Sequence, residues 1–171
     1  MDTFDKTIII DYDITKKKTL ALISKMEDWQ HSPVGKLKVK LSIDSNGGDL
    51  DYAFLLYDYF KANKNTIELT TVALAKCFSA AVVVFLTGEN KYCYKSSLFM
   101  MHEPVTIMED SLKVSETNCR LTRNIYNRYI SLLTEKSNIE KIEWLSNISE
   151  FQEYYIKGED ATNNFELTSL L

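Results

Sequence analysis

Apolar and polar residues recur along the chain with two different periods, and these periods divide it into predicted strands and helices. The clearest alternation runs from Lys36 to Ile43, where lysines alternate with Leu37, Val39 and Leu41, and it predicts a strand with one buried face. Apolar residues spaced three and four apart predict helices instead. The predicted strands span 7–11, 36–43, 66–74, 91–94 and 97–102, and the predicted helices span 15–29, 50–61, 113–136 and 138–145, with a further apolar helix after Ser79.

This order of elements predicts an α/β fold with crossover connections, because strands and helices follow one another in turn. Two turns stand where predicted strands end. The first contains Gly47 and Gly48, and the second is residues 75–78, leading into Ser79. Residues 105–108 are predicted to be extended, and the C-terminal tail is predicted to turn at Gly158.

The composition is that of a globular chain of 171 residues, which predicts a single domain over 1–171 with a core that needs no metal or disulfide. The formal net charge is -4 with both signs interspersed, so neither a nucleic acid nor a membrane is predicted as a partner. No secretion signal or membrane-spanning stretch is recognisable, which predicts a cytoplasmic protein. The three cysteines lack a C-x-x-C pair and are predicted to be reduced and mostly buried, without a metal site or cofactor.

The candidate chemistry centres on Ser79, which opens an apolar segment, and on His102, which closes a predicted strand. A serine is a strong nucleophile only when a base accepts its proton, and the chain has two histidines. His102 precedes Glu103-Pro104 at an abrupt strand end, whereas His31 lies beside Pro33 in a polar turn and is predicted to be a bystander. The alternative interpretation is that both residues are structural: Ser79 caps a helix, and the ring of His102 has its hydrogen bonds satisfied near the end of a strand.

Backbone N–H groups near Ser79 are candidates for stabilising a negatively charged oxygen. Gly47 and Gly48 permit positive φ angles, so the N–H of Gly48 can approach a bound carbonyl, and the N–H of Ala80 points to the same place. A plain strand-to-helix turn is the alternative for the glycines. A carboxylate is also needed to orient the imidazole. Glu150 and Glu153 are both available, and spacing alone does not choose between them.

Three motifs in the same order resemble the proteolytic subunit of the Clp protease, ClpP. Ser45-Asn-Gly-Gly48 is similar to that family's Ser-Pro-Gly-Gly, Ser79 precedes a small and apolar helix as in Ala-Ala-Ser-Met-Gly, and Phe99-Met-Met-His102-Glu-Pro104 is similar to Met-Ile-His-Gln-Pro. The segment from Leu55 to Phe60 also looks like the family's Ile-Tyr-Asp helix. The likeness extends over nearly the whole chain.

The resemblance implies a ClpP/crotonase-like α/β fold of repeated β-β-α units with a protruding handle helix. It implies a serine endopeptidase with Ser79 as nucleophile, His102 as general base, and an oxyanion hole formed by Gly48 and Ala80. The segment from Glu153 to Ala161 is similar to the family's Asp-Arg-Phe-Leu-Ser-Ala-x-Glu-Ala, which implies Glu153 as the acid. An ungapped alignment of the preceding helix brings Glu150 to that place, so both remain open.

The resemblance also implies peptide or unfolded protein as substrate and a homo-oligomeric ring. An ATPase partner is possible but disfavoured, because little chain precedes the first strand to form the axial loops by which such proteases engage one. Two alternatives belong to other classes. A catalytically impaired subunit with an assembly role is suggested by bulky Lys76 and Phe78 before the serine, and a crotonase-type acyl-CoA enzyme is suggested by Gly47-Gly48-Asp49-Leu50. A membrane-bound relative with a serine-lysine dyad is disfavoured by the position of His102.

Overall fold

The computed structural model describes residues 3–30, 35–104 and 112–171. Strands and helices alternate through most of it. The strands are β1 (Lys6–Ile10), β2 (Leu37–Ser45), β3 (Ile67–Phe78), β4 (Asn90–Cys93), β5 (Leu98–His102), β6 (Glu153–Lys157) and β7 (Ser169–Leu170). The helices are α1 (Lys16–Gln30), α2 (Leu50–Ala62), α3 (Ala80–Phe85), α4 (Leu112–Glu135), α5 (Lys141–Phe151) and α6 (Gly158–Asn164).

One sheet organises the fold, with strand order β1-β2-β3-β4-β7 and parallel pairing throughout that path. Strand β5 branches from it, because it pairs in parallel with the end of β3 and antiparallel with β6. Parallel strands joined by helices are buried on both faces. Residues 69–73 of β3, at the centre of the sheet, are all buried, whereas β2 keeps Lys38 and Asp44 exposed. The predicted α/β class is therefore confirmed.

The central elements lie close to their predicted positions, but the segment before Ser79 does not. Residues 75–78 were predicted as a turn and belong instead to β3, because Lys76–Phe78 pair with Leu98–Met100 of β5. A second partner strand thus continues the ladder beyond the point where the apolar pattern stops. Near the C-terminus, α5 begins later and ends later than its predicted range of 138–145, while β6, α6 and β7 were not predicted. Strand β6 has only Ile156 buried, so its pattern carries little signal.

The core lies around α3, whose six residues are all buried. A helix that is apolar on every side must be enclosed by other elements. The ring of Phe99 contacts those of Phe85 and Phe165, and Phe165 stacks on Trp144, which ties α3, β5 and α5 together. Two of the three cysteines, Cys77 and Cys93, are buried, whereas Cys119 is exposed.

The predicted long helix is α4, and its described side chains divide into two parts. Residues 116–124 are mostly exposed, whereas Tyr129, Ile130, Leu132 and Leu133 are buried. Arg128, between these parts, donates two hydrogen bonds to the carboxylate of Asp58 on α2 at 2.6 and 2.7 Å. The helix therefore packs through its C-terminal half, while its exposed part fits the predicted handle.

Two predictions fall on residues outside the described ranges: the extended segment 105–108 and the position of His31. For the described part of the chain, no helix combines the length and apolar character that crossing a membrane requires.

Candidate active site

The parallel pairing of β3 with β5 brings Ser79 and His102 to the same edge of the sheet. Phe78 at the end of β3 is in register with Met100 on β5, and the N–H of Ser79 donates a hydrogen bond of 2.7 Å to the carbonyl oxygen of Met100. His102 lies two residues further along β5. In open α/β sheets, functional loops gather where strands end in this way.

The side chains of Ser79 and His102 are in hydrogen-bonding contact. Ser79 Oγ lies 2.9 Å from His102 Nε2, and the pair is partly buried. The hydroxyl donates to Nε2 when the ring carries its proton on Nδ1. This is the geometry that a general base needs to accept the proton of a nucleophilic hydroxyl.

The backbone of Ser79 turns sharply between β3 and α3. Its φ of 53° and ψ of -122° are unusual for a residue with a side chain, and a conformation of this kind costs on the order of 1–3 kcal/mol. The side chain makes no capping hydrogen bond to α3, so the alternative role of Ser79 as a side-chain helix cap is not observed. The turn presents the hydroxyl to His102 instead, and serine nucleophiles of α/β-hydrolases lie on strained strand-to-helix turns of this kind.

The glycine turn after β2 lies directly against the turn at Ser79. Gly47 has a φ of +104°, and a Cβ placed on it would lie 2.6 Å from the carbonyl oxygen of Phe78 and 2.8 Å from the Cβ of Ser79. Ser45 supports this turn, because its Oγ donates to the carbonyl oxygen of Tyr12 at 2.7 Å and accepts from the N–H of Gly47 at 3.1 Å. Only a glycine allows the two turns to approach this closely.

The N–H groups of Gly48 and Ala80 are available at this junction. Gly48 has a φ of +129°. Ile14 fixes the residues on either side of it, because the N–H of Ile14 donates to the carbonyl oxygen of Gly47 at 2.7 Å and the N–H of Asp49 donates to the carbonyl oxygen of Ile14 at 2.9 Å. Ala80 begins α3, where a helix N–H has no intrahelical partner. Among the described residues, neither N–H group donates a backbone hydrogen bond. Two donors beside a serine hydroxyl are able to stabilise an oxyanion.

Glu153 lies directly opposite His102 in the antiparallel pairing of β5 with β6. Its carboxylate nevertheless accepts a hydrogen bond of 2.7 Å from the hydroxyl of Tyr155, and this bond raises the pKa of Tyr155 above its ordinary value. Glu150 is exposed near the end of α5. Within residues 3–30, 35–104 and 112–171, no carboxylate forms a hydrogen bond or an ion pair with His102.

A cleft of about 440 Å³ opens beside the Ser79–His102 pair. Besides Gly48 and the N-terminus of α2, it is lined by Pro104 and by Thr122 and Ile125 of α4. Sequence reasoning did not assign these residues to the site, although the amphipathic pattern of α4 indicated that one face must contact the rest of the molecule. The described residues contain no group of three or more His, Cys, Asp or Glu side chains that could hold a metal ion.

Comparisons with known proteins identify the family and the fold of this chain. The family model described as Clp protease matches residues 3–163. The chain is similar to the ATP-dependent Clp protease proteolytic subunit of Paracoccus denitrificans, with 25% identity over 166 residues, which cover 88% of this chain and 79% of the relative. It is also similar to the solved structure of a ClpP1 mutant from Listeria monocytogenes, with a TM-score of 0.82, 14% identity, and coverage of 96% of this chain and 90% of that one.

The structural likeness confirms the predicted ClpP-like fold, and the family match confirms the predicted resemblance. Because that match extends over nearly the whole chain, the protein belongs to the Clp protease family and is a ClpP-like serine peptidase.

Proposed function

We propose that this chain is a serine endopeptidase in which Ser79 is the nucleophile and His102 is the general base. The observation that carries the proposal is the 2.9 Å contact between Ser79 Oγ and His102 Nε2 at the mouth of the cleft. The strained backbone of Ser79 adds support, because strain of this kind is retained mainly at functional positions.

The reaction follows from these positions. His102 Nε2 accepts the hydroxyl proton as Ser79 Oγ attacks the carbonyl carbon of a peptide, and the N–H groups of Gly48 and Ala80 stabilise the resulting oxyanion. His102 then donates the proton to the leaving amine as the C–N bond breaks, which leaves an acyl group on Ser79. A water molecule, deprotonated by His102, attacks the carbonyl carbon of this ester. The bond from that carbon to Ser79 Oγ then breaks, His102 returns the proton to Oγ, and the second product leaves as a carboxylic acid.

The third member of the proposed triad is Glu153. It faces His102 across the β5–β6 ladder, where directly opposed side chains have Cβ atoms about 4.5–5.5 Å apart. Glu150 has no such register with β5, because it belongs to α5. A carboxylate at position 153 can therefore reach Nδ1 of His102 by a change of side-chain rotamer.

The proposed substrate is a peptide or unfolded protein, and the proposed assembly is a homo-oligomeric ring. The relative from Paracoccus denitrificans is described as a proteolytic subunit of an ATP-dependent protease, which supports an assembly of subunits. The exposed part of α4 provides a surface for it, with Leu121 58% exposed. Apolar side chains of this kind are often buried between subunits.

The test is covalent labelling with a fluorophosphonate probe, combined with native mass spectrometry and hydrolysis of unstructured peptides without any ATPase. Labelling of the parent chain is expected to disappear in Ser79→Ala and to persist in the control Ser169→Ala, which changes an exposed serine on β7. Glu153→Gln is expected to slow labelling and Glu150→Gln to leave it unchanged. Labelling that survives Ser79→Ala would remove Ser79 from the proposed role.

A catalytically impaired subunit with an assembly role is the second candidate. The observation that favours it is the hydrogen bond of Glu153 to Tyr155, since this carboxylate is then not on His102. A well-folded oligomer that neither reacts with the probe nor hydrolyses peptides would support this candidate over the peptidase.

A further inference from the structure

We propose that Tyr155 is a positioning residue that holds the Glu153 carboxylate away from His102, so that activity depends on how this carboxylate is shared between Tyr155 and His102. The inference rests on the proposed peptidase function and adds a residue to it. Tyr155 does not touch the reacting atoms. It acts through Glu153.

Strand geometry places the three side chains on one face of the sheet. His102 is directly opposite Glu153, and Tyr155 follows Glu153 by two residues on β6, in register with Met100. Side chains alternate between faces along a strand, so positions 153 and 155 share a face. Along one strand, positions two apart are separated by about 7 Å, and directly opposed positions have Cβ atoms about 4.5–5.5 Å apart, so both neighbours are within reach of a long side chain. Glu153 can therefore contact either His102 or Tyr155.

The contact with Tyr155 is the one that the structure contains. The Tyr155 hydroxyl donates to Glu153 Oε2 at 2.7 Å, a short hydrogen bond to an ionised acceptor. One carboxylate oxygen so engaged draws the side chain along β6 and away from the imidazole. Because glutamate has one more rotatable bond than aspartate, it can turn between the two partners without moving the strand.

The Tyr155 ring is itself held in place. It packs edge-on against Phe78, with ring centroids 6.0 Å apart and planes at 83°. Edge-to-face contacts of this kind are favourable for aromatic pairs. Phe78 is the last residue of β3 and immediately precedes Ser79, so the group that retains Glu153 packs on the strand end that leads into the proposed nucleophile. The packing against Tyr155 thus gives the bulky side chain of Phe78 a structural role.

The proposal predicts that removing only the Tyr155 hydroxyl raises the rate. Tyr155→Phe keeps the ring on Phe78 but removes the donor to Glu153. We expect kcat for an unstructured peptide to rise about two- to tenfold, the equilibrium effect of one net hydrogen bond, with KM unchanged. KM is expected to stay constant because Glu153 acts on His102 rather than on the peptide.

Two comparisons separate this effect from a general change in structure. In the Glu153→Gln background, Tyr155→Phe is expected to have no effect on kcat, because the charged acceptor is already absent. The control Tyr94→Phe removes the hydroxyl of another exposed tyrosine, near the end of β4, and is expected to leave kcat unchanged. A spectroscopic titration of the tyrosines reports the hydrogen bond directly: one phenol is expected to ionise at lower pH in Glu153→Gln than in the parent chain.

The proposal is overturned if Tyr155→Phe leaves kcat unchanged or lowers it, or if the same increase occurs in the Glu153→Gln background. It is also overturned if no phenol changes its titration in Glu153→Gln, a measurement that stands even if Tyr155→Phe does not fold. If Ser79→Ala abolishes activity while Glu153→Gln does not affect it, the positioning role falls and the serine-histidine pair remains. Activity that survives Ser79→Ala refutes the proposed function itself.

Discussion

Substituting alanine for Gly47 tests the contact between the glycine turn and the turn at Ser79, the proposed nucleophile. The added Cβ would lie 2.6 Å from the carbonyl oxygen of Phe78, whereas an ordinary contact begins at 3.4 Å. The two turns must therefore separate by about 0.8 Å, and because the obstructing atom belongs to the backbone, no side-chain rotation relieves it. A displacement of about 1 Å at a reacting group costs about a hundredfold in rate. We expect the labelling rate of Ser79 by a fluorophosphonate to fall by about this factor.

Gly35 supplies the matched control, because it has the same φ of +104° and no atom within 4 Å of its added Cβ. Gly35→Ala therefore carries the backbone cost of a positive φ, about 1–3 kcal/mol of unfolding free energy, without the collision. It is expected to retain the parent labelling rate. In urea unfolding, Gly47→Ala is expected to lose at least as much unfolding free energy as Gly35→Ala. Its labelling rate is expected to fall at low urea concentrations, where the variant is still folded.

The outcome that contradicts this reasoning is a folded Gly47→Ala variant that is labelled as fast as Gly35→Ala. The turn of Ser79 would then tolerate displacement, and the close approach of Gly47 would not matter for the nucleophile. Equal losses of labelling in both variants would also contradict it, because the effect would then follow overall stability rather than the contact with Phe78.

Two further predictions concern the core and the thiols. Phe99→Ala is expected to lower the unfolding free energy by about 3–5 kcal/mol in urea titrations, because the fully buried ring contacts two other aromatic rings, and a smaller loss would contradict the tight packing around α3. Burial raises the pKa of Cys77 and raises that of Cys93 to about 11, so at about pH 8 both stay protonated and only the exposed Cys119 is expected to react with a disulfide reagent. Reaction of the folded Cys119→Ser variant would refute this expectation.

Local periodicity was sufficient to predict β2 and α2, the two elements that flank the glycine turn of the site. The alternation through β2 and the helical spacing in α2 reflect which face of each element is buried, so both could be located before any tertiary contact was known. The same holds for the glycines between them, because positive φ angles at Gly47 and Gly48 are a backbone requirement that the residue type itself signals.

Other features depend on pairings between segments that are distant in the chain. Residues 76–78 continue as strand because β5 pairs with them and Ser45 of β2 pairs with Cys77. Strand β6 pairs with β5 although its own residues are mostly exposed. The positive φ of Ser79 could not be predicted either, because serine as a residue type does not indicate this conformation. Local patterns contain no information on which strand will be the neighbour.

The sequence by itself determined the class of fold, the order of its elements as far as α5 and the identities of a candidate nucleophile and base, because these follow from residue chemistry, local periodicity and motif order. Only the tertiary structure decided that Ser79 and His102, 23 positions apart, lie 2.9 Å from one another, and that the carboxylate facing His102 binds Tyr155 instead. The physical reason is that hydrogen bonds between side chains depend on strand register and rotamer, which are set when the whole sheet assembles.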